Sequence, residues 1–165
     1  MNNINRLIVL LPVFILGCNL NVNEQSKVLK KINSLDMNIY SKKGEKIYSI
    51  RSPYSSYDNN KQKFHLEKTT INIFNGEEIK YIISSNESFL SQNNKLVELN
   101  GNVKLKTIKQ NKGELYADNF IWNIDDNNYL LMGNIKYETE KVILYSGKAK
   151  LGSNNIIEFF NPVKY

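Results

Sequence analysis

The sequence is poor in the residues that most often carry chemistry. It has one cysteine, one histidine, one tryptophan and three prolines in 165 residues. A single cysteine excludes an intrachain disulfide. A single histidine, His65, excludes a zinc site built from several histidines, and it lacks the partners of a His-centred triad. Its neighbours Phe64 and Leu66 place it on an outward face. No Gly-rich loop follows a strand and opens a helix, so no phosphate cradle is legible. Acidic pairs such as Glu77-Glu78, Asp125-Asp126 and Glu138/Glu140 fall in turns or on outward rows, where solvation explains them better than acid–base work. Basic residues never run longer than two together, despite a formal charge of +6. Charge spread this way solvates outward faces and leaves attraction to an anionic partner open. The expectation is a non-enzyme with no metal and no cofactor.

Long apolar runs are also scarce. The longest, Leu7 to Leu16, covers ten residues and contains Pro12, too short to span a bilayer as a helix. With the short cationic stretch Met1 to Arg6 before it, the run fits a secretory signal at 1–17. Ile15-Leu16-Gly17-Cys18 resembles the bacterial lipobox, in which the cysteine becomes the first mature residue and carries lipid. Cys18 is thus the candidate lipid-attachment residue, a tether to a membrane surface rather than a span. The alternative is a buried cysteine in an uncleaved anchor. Asn19 follows it, where inner-membrane retention in enteric bacteria favours Asp. Residues 18–35 read as a polar tether, with Val28, Leu29 and Ile32 hinting at one turn of helix.

What is plentiful is alternation. From Asp36 to Tyr165 the apolar residues recur with period two, punctuated by "KKGEK", "FNGEE", "SQNNK", "IDDNN" and "LGSNN". That pattern predicts an all-β domain over 36–165. Hydrophobic residues at 41% and aromatics at 11% suffice for a core.

The chain also repeats itself. "ELNGNVKLK" at 98–106 returns as "LLMGNIKYE" at 130–138 and as "FFNPVKY" at the end. A shift of 32 lays Gly101-Asn102-Val103 on Gly133-Asn134-Ile135, and a shift of 28 then lays Tyr129, Leu131, Ile135 and Tyr137 on Ile157, Phe159, Val163 and Tyr165. Apolar phase is kept through all three copies, so the period near thirty is a structural repeat. Phase names the buried row: Val97, Leu99, Gly101, Val103 and Leu105, then Tyr129, Leu131, Gly133, Ile135 and Tyr137, then Ile157, Phe159, Asn161, Val163 and Tyr165. Between these rows, Leu115 and Ala117 hold one parity, while Phe120, Trp122 and Ile124 hold the other. The flip at Asp118-Asn119 predicts a bulge or corner, with each repeat giving two strands joined by a corner. Aromatics share parity with Leu and Val, so they are not displayed on a basic face for nucleic acid. One apolar and one wet face per strand predicts antiparallel sheets over a shared interior, an open β-jelly roll or twisted trough-like sandwich.

The stretch Ile39 to Phe74, with a short hairpin around Gly44 and apolar positions at Leu66, Thr69, Ile71 and Phe74, resembles the amino-terminal half of the LptC family. The following Gly-Asn-Val and Leu-x-Ala-Asp repeats are similar to those shared by LptC, LptA and the OstA-like domains. The resemblance covers about Asp36 to Tyr165. It departs at the start, where the family carries a transmembrane helix and this chain a lipobox. It implies a periplasmic jelly roll, lipid-anchored by preference to the inner membrane. Such a protein takes lipopolysaccharide from an ATP-driven extractor with an LptF/LptG-type permease at one edge and passes it to an LptA-type jelly roll at the C-terminal edge.

The candidate groove residues are Leu66, Ile71, Ile73, Leu99, Val103, Leu105, Leu115, Ala117, Phe120, Trp122, Leu131, Ile135, Leu144 and Phe159. Each exposed CH₂ of a lipid tail costs about 0.8 kcal/mol in water, and an apolar interior offsets that by area, without directional bonds. Any of these side chains could equally fill a closed core. The partner-edge candidates are Ile157, Phe159, Val163 and Tyr165. Pro162, which removes an N–H donor, fits an edge strand. Two competing readings are a structural lipoprotein with a dry interior that joins partners through its edges, and a lipid shuttle closer to LptA in role.

Overall fold

A computed structural model describes residues 29–93, 95–108, 113–125, 129–152 and 156–164. The signal at 1–17, Cys18, most of the tether and Tyr165 lie outside them. The described chain is all β: β1 (Leu29–Ile32), β2 (Leu35–Tyr40), β3 (Lys46–Ser52), β4 (Tyr54–Asp58), β5 (Lys63–Asn75), β6 (Glu78–Ser91), β7 (Leu96–Thr107), β8 (Glu114–Asn123), β9 (Tyr129–Glu138), β10 (Ile143–Leu151), β11 (Ile157–Phe160) and β12 (Val163–Lys164). From β5 to β10 each strand pairs antiparallel with the next, and the two end strands β1 and β11 leave the sheet unclosed.

The sheet is folded along a line that crosses its long strands. Pairing breaks between Ser84 and Glu87, between Asn100 and Val103, between Tyr116 and Asn119, and between Ser146 and Lys148. On β5 the line falls at Lys68 (φ 52). There its partner changes from β4, opposite 63–67, to β3, opposite 70–73. On β10 the partner changes from β12 to β11, with Asn161 (φ 51) between those two short strands. Each side of the line forms a leaf, and the leaves face one another. Tyr48 of one leaf meets Trp122 of the other at 4.3 Å between ring centroids.

The repeat is the device that makes this line. Gly101-Asn102 (φ 70 and 50) and Gly133-Asn134 (φ 75 and 43) each place two consecutive residues in the left-handed region, which bends the strand while keeping odd residues inward on both sides. Their neighbours bend by skipping two residues, so inward parity flips from Ala117 to Phe120 and from Ser146 to Ala149. The flip expected at Asp118-Asn119 is therefore present, but it lies in the middle of β8. The corner is inside each strand rather than between the two strands of a repeat.

Buried hydroxyls stabilise the line by accepting or donating bonds that the broken ladder leaves over. Ser52 Oγ reaches the carbonyls of Tyr54 and Glu67 at 2.6 and 2.7 Å, and Ser146 Oγ those of Lys148 and Phe160 at 2.8 and 2.7 Å. Ser85 reaches Glu87 at 3.1 Å. Gly133 is crowded as well as bent, because Asp118 lies over it and accepts from Asn134 Nδ2 at 2.8 Å.

Three expectations are corrected. Leu29 to Ile32 is a strand paired with β4, not a helical turn, because that pairing satisfies its backbone while three spaced apolar residues do not nucleate a helix. Strand pairing thus starts ahead of Asp36. Gly101 is exposed rather than part of the inward row, since the bend turns it out. Val163 faces out, 52% exposed and opposite Tyr145. In the first two copies a second left-handed residue follows the glycine and restores phase. Pro162, whose ring fixes a negative φ, cannot do that in the third.

Candidate functional site

The candidate site is the interior between the leaves. The alternation set by period two puts the odd row of β7 and β9 and the flipped rows of β5, β6, β8 and β10 on one side. Of the candidate groove residues, Leu66, Ile71, Leu99, Val103, Leu105, Leu115, Phe120, Trp122, Leu131 and Ile135 are at most 1% exposed, and Ile73 and Ala117 are 5%. The structure brings all twelve into one apolar stripe. Leu144 and Phe159, nearer the C-terminal edge, are half-buried. At the opposite end Leu35, Met37 and Ile39 of β2 are half-buried against the same stripe. The stripe is closed in its middle and frayed at both ends.

Several interior residues escaped the sequence reading: Tyr48, Ile50, Tyr81, Ile83, Leu90, Ala149 and Leu151. The signal for them was the same period two, visible in "IYSIRS" and "YIIS". Three buried aromatics meet far from the fold line, where the tips of the leaves touch. Trp122 lies edge-on to Tyr48 and 5.7 Å from Tyr129, and the hydroxyls of Tyr48 and Tyr129 hydrogen-bond. Burial raises Tyr48, Tyr81 and Tyr129 above the ordinary tyrosine value of 10, most strongly for Tyr129, where the nearby Tyr48 adds to it.

The unfolded chain ionises these phenols near pH 10 while the folded chain resists, so this stability is complete below about pH 10 and is lost as pH rises beyond it. The urea midpoint is expected to be flat from about pH 8 to 9 and to fall steadily above about pH 10. A midpoint that stays level through alkaline pH would show that these hydroxyls are not buried.

The outward faces carry paired charge. Lys63–Glu98, Lys104–Glu114, Lys136–Glu138 and Lys95–Asp125 all lie within 3.0 Å. His65 is outward as expected, stacked on Phe89 at 4.8 Å with Nε2 2.7 Å from Glu87. Among the described residues no group of three metal-ligating side chains forms, and no helix is long and apolar enough to cross a membrane. Tyr145, Phe160 and Val163 expose apolar surface at the C-terminal edge, with Lys148 Nζ 5.4 Å over the Phe160 ring. β11 ends the sheet path on that side, and Ile157 and Phe159 on it point inward.

An unclosed, internally apolar, folded antiparallel β-sheet of this kind belongs to the class of open β-jelly rolls. The profile described as lipopolysaccharide-assembly, LptC-related, matches residues 15–129. The chain belongs to the LptC-related family of lipopolysaccharide-assembly proteins. That family is periplasmic and non-enzymatic, and the chain is a lipopolysaccharide-transport component rather than an enzyme. Its fold is similar to that of LptH, the LptA-homologous periplasmic component of the lipopolysaccharide transport device from Pseudomonas aeruginosa. The TM-score is 0.54 and the identity 12%, over 68% of this chain and 80% of that one. No curated protein matches the chain in sequence.

Proposed function

We propose that the chain is a lipid-anchored relay in a lipopolysaccharide export bridge. It takes acyl chains between its leaves from an inner-membrane LptF/LptG-type permease on the β1/β2 side. It hands them to an LptA-type jelly roll at the β11/β12 edge. One observation carries this reading: the apolar stripe runs unbroken from Met37 and Ile39 at one sheet end to Phe159 at the other, and neither end is closed. A neighbouring jelly roll pairing with β11 would extend both the ladder and the stripe. Anchoring falls to Cys18. Contacts along the stripe are non-directional, so a tail can slide along it without breaking any single strong bond.

A second reading has its own support. The middle of the stripe is at most 1% exposed, which suits a dry structural lipoprotein that joins partners by its edges. Photo-crosslinkers at Leu131 and Phe159, read in membranes, separate the two. Lipopolysaccharide captured at both positions supports the relay. Protein captured at Phe159, with nothing at Leu131, would sink it. Cys18→Ser is expected to move the protein to the soluble fraction. Continued membrane attachment of that variant would refute lipidation.

A further inference from the structure

Polar groups inside the leaves fall into two sets. Along the fold line the buried hydroxyls find partners within the chain: Ser52, Ser85 and Ser146 bond carbonyls, and Thr69 and Ser88 bond each other at 2.6 Å. The second set sits at the far tips of the leaves. There Trp122 is fully buried, and its Nε1 has no hydrogen-bond partner among the described residues. An indole N–H can only donate, and native interiors seldom leave a buried donor unmade.

The surroundings of that donor say what acceptor suits it. Trp122 pairs with Val97 and Tyr129, one step further from the fold line than Phe120, which pairs with Leu99 and Leu131. Deeper in, the lining is hydrocarbon: Ile50, Leu99, Phe120 and Leu131. On the near side stand the Tyr48 ring of the facing leaf and Tyr129. A guest with a tail in the deep part therefore presents to Trp122 whatever polar atom ends the tail. In an acylated amphiphile that atom is the carbonyl oxygen of an ester or amide. It is neutral, as a donor lacking an ionic partner requires, since a buried anion would need a paired cation.

We infer that Trp122 is the positioning residue that donates its indole N–H to the ester or amide carbonyl of a bound acyl chain at the rim of the interior. The tail then runs from it toward the fold line. The inference rests on the relay reading, in which acyl chains enter between the leaves. It adds a fixed depth, because one hydrogen bond stops the sliding chain where the tail meets its headgroup. Entry requires the Tyr48–Trp122 contact to part.

Trp122 is the only tryptophan, so the protein gives a single indole N–H resonance. Rough-type lipopolysaccharide is added in an alkyl maltoside, whose tail carries no carbonyl, and the maltoside alone is the control. The indole proton is expected to move downfield with lipopolysaccharide and not with maltoside alone. In parallel, a photo-crosslinker at Leu131 reports entry. Trp122→Phe, which keeps a ring in the slot, is expected to lower lipopolysaccharide capture at Leu131 by about three- to tenfold, the effect of one hydrogen bond. If Leu131 captures lipopolysaccharide while the indole proton does not move downfield, the donor role is wrong and the relay stands. Capture by Trp122→Phe equal to that of the wild type overturns it in the same way. No capture at Leu131 in the wild-type background overturns both.

Discussion

Truncating Phe120 to alanine is expected to cost about 3–5 kcal/mol of folding stability. The ring is fully buried, paired with Leu99 on one side and Leu131 on the other, and stacked 5.7 Å from Tyr129. Those neighbours are held in register by the ladders of β7, β8 and β9, so they cannot collapse into the space left behind. Urea denaturation followed by the fluorescence of Trp122 gives the number directly. The size of the loss also bears on function. A loss below about 1 kcal/mol would mean that the interior is loosely filled at rest and needs little rearrangement to take a lipid tail. A loss in the expected range means that entry has to part packed leaves, at a cost offset by the buried tail.

Gly133→Ala should destabilise the fold more than Gly101→Ala, although the two glycines occupy equivalent places in the repeat. Both have left-handed φ, 75 and 70, so both substitutions carry the same backbone strain, about 1 kcal/mol or somewhat more. They differ in what a new methyl meets. At Gly101 the nearest atoms belong to Asn86 at 3.5 Å, an ordinary contact. At Gly133 they belong to Asp118, with Oδ2 at 2.5 Å and Cβ at 3.0 Å. The Asp118 side chain has to move, and with it goes its bond to Asn134. We expect a total of about 2–3 kcal/mol at Gly133 and about 1 kcal/mol at Gly101. Equal losses at the two sites would show that the contact with Asp118 adds nothing. With the unequal losses expected, Asp118→Ala combined with Gly133→Ala recovers part of the difference, which a double-mutant cycle measures.

These two expectations mark where the sequence was informative. Period two told which side chains point inward, and the phase flip at Asp118-Asn119 located a bend, because a strand cannot change its buried face without an irregular residue. The resemblance to the lipopolysaccharide-assembly family was legible for the same reason: the Gly-Asn repeats of this chain are the bends themselves. Val163 was misplaced because parity cannot be carried across Asn161-Pro162 without knowing that only one of the two residues turns left-handed. Leu29 to Ile32 was misread because four residues carry too little pattern to tell a strand from a turn of helix. The partner strand β4 made that choice.

The inward rows and their repeat are local properties, fixed by alternation and by the conformational freedom of Gly and Asn, and they could be read residue by residue. Whether the facing rows touch is a matter of distance between leaves, to which residues far apart in the chain contribute. Only the tertiary structure brings Tyr48 against Trp122 and leaves one buried indole donor without an acceptor among the described residues. Packing between leaves is non-local, and no period in the sequence encodes it.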